Sequence, residues 1–366
     1  MEKINFISKK IDNKNQFVFI KSSNKFLIFE NLYIDLLNQF FSLSKNGFEN
    51  YVLKNFPNSN PNNIYLELKE LLLKSYLIPP KTEYCSEIPK NLQTFKFKLG
   101  EISFTINYDD IAVVNTVIGQ LFHLHDNNII NPKNYYVFKT NDRYFLKNSN
   151  ENLGSWKNDE IHFLTGKLLS LIMCDFHKVE EKKWAGFLHA STICKDNKAF
   201  IVIGESGDGK STCSAVLCKH GYNLVADDIT PINREGKVGN FPNSISIKTS
   251  SFNKIKDLYS HKKINYVTNT KKGKIRYLNP SGLINFTPNT LSCFDIVKIK
   301  YDEKKKNSIR QVKLKDILPI IINDSYFPSS VKSVKSLMNW LINCNYYNIN
   351  YNNDSILVNF FEKIRN

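Results

Sequence analysis

Five apolar residues, Ala199-Phe200-Ile201-Val202-Ile203, run straight into Gly204-Glu205-Ser206-Gly207-Asp208-Gly209-Lys210-Ser211, and a helical stretch follows from Thr212 to Lys219. This is a complete G-x-x-x-x-G-K-[ST] between a strand and a helix, the setting in which that spacing builds a phosphate-binding loop. Its glycines admit backbone turns closed to residues with a Cβ. Successive N–H groups can then converge on phosphate oxygens, and the helix start adds the positive end of its dipole. Lys210 supplies charge to the β and γ phosphates of ATP, while the Ser211 hydroxyl can sit on Mg2+. A chain organised around such a loop folds as α/β.

A second acidic element follows closely. His220-Gly221 offers a glycine stop for the helix, and Tyr222-Asn223-Leu224-Val225-Ala226 reads as a strand that delivers Asp227 and Asp228. Strand, helix and strand in so short a span predict a tight right-handed βαβ unit, with both carboxylates beside the phosphate loop. One carboxylate can bind Mg2+ and the other can accept the proton of an attacking hydroxyl, the division of labour that phosphoryl transfer needs. Upstream, residues 184–194 and 198–203 read as two strands joined by Lys195-Asp196-Asn197, with His189 on the first.

The series WAGFLHASTICKDNKAFIVIGESGDGKSTCSAVLCKHGYNLVADD resembles the HPr kinase/phosphorylase family, which shares its fold with phosphoenolpyruvate carboxykinases. The resemblance implies that His189 lies in the active site and that the loop from Gly204 through Thr212 binds the triphosphate. It further implies that Asp227 holds Mg2+ together with Ser211, and that Asp228 is the general base. Two positions depart from the family: Thr212 stands where an acidic residue usual in the enzymes acting on HPr would be, and Ala190 where they carry glycine. No counterpart of their long glycine-rich element follows. The chain is therefore similar to divergent relatives found among peptide-modification systems, and neither control by sugar metabolites nor a reverse phosphorylase activity is implied.

Residues 1–80 carry three short β-branched and aromatic segments, 5–8, 16–20 and 25–29, then helical periodicity at 32–43, 48–54 and 64–76. Three strands and three helices predict a winged-helix-like α+β module, with an exit to a linker at Leu77-Ile78-Pro79-Pro80. The layout from Asn31 to Ile78 is similar to the PqqD-like family, which holds leader peptides of ribosomally made, post-translationally modified peptides. That resemblance implies a leader added as a strand to an exposed sheet edge and packed against a helix. DNA binding or subunit contact are the other uses of such a module. The helix at 64–76 carries Lys69 and Lys74 but also Glu67 and Glu70, a poor surface for nucleic acid.

Residues 81–180 read as an α/β scaffold with strands in 95–108, a hairpin at 135–147 and a helix at 160–176; His123, His125, His162 and His177 have no metal-ligand spacing. Residues 181–366 read as the kinase domain. Within it Lys262, Lys263, Lys271, Lys272, Lys274 and Arg276 form a basic run without an acid, either a solvated loop or a loop closing over phosphates with Arg276 pointing inward. Pro280 and Gly282 mark a turn, and strand 291–300 and helix 330–345 complete the sheet and its cover.

Fifty Lys and Arg against 34 Asp and Glu leave +16, which favours an acidic partner, whether nucleotide phosphates, an acidic peptide, nucleic acid or anionic lipid; charge alone does not choose among them. Seven scattered Cys without a C-x-x-C predict reduced thiols in a cytoplasm, and no apolar stretch reaches signal-peptide or membrane-spanning length. The expectation is an ATP- and Mg2+-dependent kinase acting on a Ser or Thr hydroxyl of a leader-bearing precursor peptide, possible as a homo-oligomer. A nucleotide-dependent switch and a kinase of a small hydroxylated metabolite are the alternatives.

Overall fold

The computed structural model describes residues 6–73, 87–260, 264–270, 273–279, 288–322, 325–328 and 330–365. Several features expected from sequence lie outside the described residues: the linker at Leu77-Ile78-Pro79-Pro80, Lys74, Lys262, Lys263, Lys271, Lys272, Pro280 and Gly282. The chain divides into two compact units, Met1–Pro79 with Ser329–Ile342, and Pro80–Pro328 with Asn343–Asn366.

The first unit opens with an antiparallel meander of β1 (Phe6–Lys10), β2 (Asn15–Ile20) and β3 (Lys25–Glu30). Helices α1 (Ile34–Ser42), α2 (Lys45–Asn55) and α3 (Pro61–Leu73) follow. Each start has a local cause. Ser44 caps α2 by accepting from Gly47 N at 3.2 Å, Asn60 accepts from Asn63 N at 3.1 Å, and Pro61 takes the first helical position, where its missing donor costs nothing. Val18 and Ile20 on one face of β2 pack with Leu37, Phe48, Val52 and Leu72 of the helices. Phe17 and Phe19 alternate onto the other face, where they stack with Phe26 at 5.5 and 4.8 Å.

The second unit begins with a five-stranded sheet ordered β4 (Gln93–Leu99), β5 (Ile102–Tyr108), β6 (Lys133–Thr140), β7 (Arg143–Asn148) and β8 (Asn152–Lys157). Only β5 and β6 are parallel, and helix α4 (Ile111–Leu121) makes the crossover that a parallel pair requires. Asp110 caps α4 by accepting from Ala112 N at 2.8 Å. Helix α5 (Ile161–His177) adds Leu164, Leu168 and Ile172 to a core shared with Val114, Val117 and Ile118 of α4.

Nine strands make the principal sheet. Its path includes β9 (Trp184–Leu188), β10 (Ser191–Lys195), β11 (Lys198–Ile203), β12 (Asn223–Ala226), β13 (Thr230–Asn233) and β14 (Lys237–Gly239), with helix α6 (Lys210–Lys219) after β11. A separate sheet runs β15 (Ile245–Lys248), β17 (Gly273–Leu278), β16 (Ile264–Thr270), with helix α7 (Thr249–Leu258) against it. The long β18 (Thr290–Tyr301) pairs in parallel with β11 on its central residues. Strand β19 (Ser308–Val312) and helix α8 (Leu314–Ile322) follow.

The chain then returns to the first unit as α9 (Val331–Ile342), before β20 (Asn345–Tyr351) pairs with β18 and β19 and α10 (Asp354–Arg365) closes the fold. Lys9, paired with Phe17 and on the same face, donates to Asn339 on α9. The α9 side chains Val334, Leu337, Met338 and Leu341 are buried, so this helix covers the face that Phe17, Phe19 and Phe26 present.

Four expectations are corrected here. Residues 184–194 are not one strand: β9 pairs with β13 and β10 with β11 and β12, and the break falls at His189-Ala190, where His189 N donates to Ser325 Oγ at 3.0 Å. β11 and β12 are parallel but not adjacent, because β10 lies antiparallel between them. The basic run is no loop over its described residues, since 264–270 and 273–278 form the β16–β17 hairpin. The helix expected at 330–345 in the kinase region is α9 and belongs to the first unit. Among the described residues no helix is long and apolar enough to cross a membrane.

Candidate active site

The carboxyl ends of β11 and β12 and the start of β15 converge on one place. β11 is buried along Ala199, Phe200, Ile201, Val202 and Ile203, and α6 is pinned behind it by Cys213, Val216 and Leu217. The loop between them turns on Gly207 (φ +107°) and Gly209 (φ +98°), backbone states that side chains with a Cβ rarely adopt. Asp208 Oδ2 accepts from Glu205 N at 2.7 Å, and Asp208 O accepts from Tyr301 N at 3.2 Å, which ties the loop to the end of β18. Lys210 bends back over it and donates Nζ to Gly204 O at 2.9 Å. Burial lowers the affinity of Lys210 for its proton, while Asp228 and Asp227 act against that shift; phosphate oxygens at the loop would add to their effect.

Ser211, on the first turn of α6, donates to Asp227 Oδ2 at 3.0 Å. Asp227 is fully buried and held on every side. Ser191 donates to its Oδ1, Ser246 N to Oδ2 at 3.0 Å, and Asn243 exchanges hydrogen bonds with its backbone N and O. For Mg2+ the donor set fits: a hydroxyl and a carboxylate in contact, hard oxygen donors that leave other positions for phosphates and water. Among the described residues no cluster of three or more His, Cys, Asp or Glu offers an all-protein metal cage.

Burial first, then the charge of Asp228, pushes the Asp227 carboxyl up from 3.8 to about 6, although Ser191, Ser246 and Ser211 oppose the shift by donating to it. The raised value favours the fold fully below about pH 4, and that contribution is lost as pH rises through about 6. Metal binding has the opposite preference because it needs the ionised form. Mg2+-dependent ATP affinity, measured by calorimetry, should therefore be roughly tenfold weaker at pH 5 than at pH 7.5. Asp227→Asn should bind weakly at both and lose that step; an unchanged step in this variant would exclude Asp227 as its source.

Asp228 differs from its neighbour in every respect. It is partly exposed, and it sits in left-handed backbone (φ +69°) at a turn closed by Ile229 N donating to Asp227 O at 2.8 Å. Strained backbone of this kind persists where surroundings enforce it. Two side chains do so here: His189 Nδ1 lies 3.4 Å from Asp228 Oδ1, and Gln120 Nε2 donates to Oδ2 at 3.0 Å. Gln120 comes from α4, fully buried. The adjacent Gly119 lets the Tyr277 ring of β17 lie so close that a Cβ there would fall 2.2 Å from it. The region read as scaffold thus contributes a partner to the Asp228 carboxylate.

The structure brings together His189, the residues Gly204 to Ser211, Asp227 and Asp228. Thr212 sits beside them on α6. Arg276 stacks its guanidinium on Phe252 of α7, 3.8 Å from the ring centroid, and pairs on β17 with Ile247 of β15, between Ser246 and Lys248. The further cation at the loop is Lys248, whose Nζ donates to Ser206 Oγ at 3.2 Å. Lys248, Gln120, Ser191, Asn243 and Ser246 were not legible as site residues, because each is a common polar residue without a motif of its own.

No protein-family model matches the chain, and no curated protein matches it. Among solved structures, the HPr(Ser) kinase/phosphatase from Coxiella burnetii is similar over 49% of this chain and 93% of that one, at 15% identity and a TM-score of 0.25. A likeness of that degree carries no functional weight beside the geometry. What the fold itself shows is a mixed α/β chain with several sheets.

Proposed function

We propose that this chain is an ATP-dependent kinase that transfers the γ-phosphate to a Ser or Thr hydroxyl of a ribosomally made precursor peptide. The observation that carries the reading is the pairing of Ser211 with buried Asp227 beside a second, partly exposed carboxylate, Asp228, at the mouth of a complete phosphate loop. The loop amides and Lys210 hold the phosphates, and Lys248 adds charge at Ser206. Mg2+, held by Ser211 and Asp227, would neutralise charge developing on the phosphate oxygens. Asp228 takes the proton of the acceptor hydroxyl as its oxygen bonds to the γ-phosphorus, and the bond to the ADP oxygen breaks. His189 and Gln120 fix the carboxylate that does this.

The first unit is proposed to hold the leader, which raises the local concentration of the acceptor at Asp228 without touching it. Strand β3 pairs only with β2 among the described residues, so its outer edge offers a place for an added strand. Truncating residues 1–80 would test this badly, because it would bare the apolar face of α9. Ile28→Pro, midway along β3, is the cleaner variant. With circular dichroism unchanged, it should raise KM roughly tenfold or more for a leader-bearing peptide encoded beside this gene, and leave KM for the isolated acceptor fragment as it was. An equal rise for both would end the leader role.

A further inference from the structure

One row of residues crosses the principal sheet from the phosphate loop outward: Ile203 of β11 pairs with Lys298 of β18, Lys298 with Asn348 of β20, and Asn348 with Arg310 of β19. Paired residues share a face of the sheet. On that face Lys298, Asn348 and Arg310, with Val312 and with Asp316 and Ile317 of α8, line a cavity of about 210 Å³. That is below the range of sites for drug-sized molecules and suits a single small metabolite.

The lining has a definite chemistry. Among the described residues neither Lys298 nor Arg310 has an acidic partner, and Asn348 Oδ1 is buried without a donor. A buried acceptor left unmatched costs stability, and half-buried Lys298 and exposed Arg310 stand beside it as cations that an anion can pair with. Asp316 supplies one carboxylate, of which Oδ2 already accepts from Lys313 N at 3.1 Å at the start of α8. Two cations, one anion, one unused carbonyl oxygen and two aliphatic walls complement a ligand with two carboxylates, one ammonium and a short aliphatic chain. We propose that this cavity binds a free acidic α-amino acid, its carboxylates on Lys298 and Arg310 and its ammonium on Asp316 and Asn348 Oδ1. An acidic residue inside a peptide chain fits less well, having no ammonium for Asp316.

No residue of the phosphate loop lines this pocket, so binding of small probes to it can be read without kinase activity. Calorimetry on the full chain would use L-glutamate, L-aspartate, glutarate and N-acetyl-L-glutamate amide as probes. One of the two amino acids should bind at least tenfold more tightly than glutarate, since a hydrogen bond to a charged group is worth roughly 1.5–3 kcal/mol. Arg310→Gln should weaken it about tenfold or more. Asp316→Asn keeps an oxygen for Lys313 N and should erase the advantage over glutarate while glutarate itself binds as before. ATP affinity should be unaltered in both variants, a check that they fold. Absence of binding by both amino acids, equal binding of glutarate by the native chain, or equal binding of the capped glutamate would each overturn the assignment.

Discussion

Asp228→Asn should bind Mg-ATP with nearly native affinity and turn over roughly 10²- to 10⁴-fold more slowly. The substitution is unusually clean at this position. Asn tolerates left-handed backbone as well as Asp does, so the turn at φ +69° survives. The amide can still accept from Gln120 Nε2, and His189 keeps a neighbour. What is lost is the ability to take a proton. Asp227→Asn should fail differently: its carboxylate lies buried against Ser211, so the loss appears as a raised Mg2+ requirement. Magnesium titrations of the two variants, followed by initial rates, separate base from ligand. Equal losses with one magnesium dependence would show that the two carboxylates do not divide the work.

Lys210→Ala should remove both nucleotide affinity and transfer. Its Nζ is held inside the loop, 2.9 Å from Gly204 O on a buried residue, so it is already largely desolvated when the phosphates arrive. Loss of one such donor from a preorganised site costs roughly 10²- to 10³-fold in turnover, before weaker binding is counted. Lys248→Ala should cost less, since that side chain is only half-buried and more open to solvent screening than Lys210. Calorimetry with ATP orders the two; unchanged affinity in Lys210→Ala would remove the nucleotide site from Gly204 to Thr212.

The loop, its flanking strand and helix, and the paired carboxylates were legible because each is written in consecutive residues. So were β1 to β3 and α1 to α3, where period-2 and period-3.6 patterns alternate with strong turn chemistry. The Asp196-Asn197 junction of the β10–β11 hairpin also announced itself, both residues taking positive φ (51° and 62°) as a two-residue hairpin turn demands. Gln120 was not legible: it reaches Asp228 across 108 positions, and only the packing of α4 through Gly119 on Tyr277 brings it there. The β16–β17 hairpin was hidden because the basic residues read as one run, although Ile264, Tyr266 and Thr268, then Ile275 and Tyr277, recur at strand spacing. The place of α9 was hidden by chain order, because this helix, joined to β1 across 330 positions by Lys9 and Asn339, covers a sheet made at the start.

ATP labelled in its γ-phosphate, incubated with the chain and the Ser- or Thr-containing peptides encoded beside its gene, tests the central claim most directly. Mass spectrometry should find the label on a peptide hydroxyl with native enzyme and Mg2+, and none above background with Asp228→Asn. Label released as inorganic phosphate at one rate with and without peptide, and never found on a peptide, would contradict a peptide kinase and leave a nucleotide switch in its place.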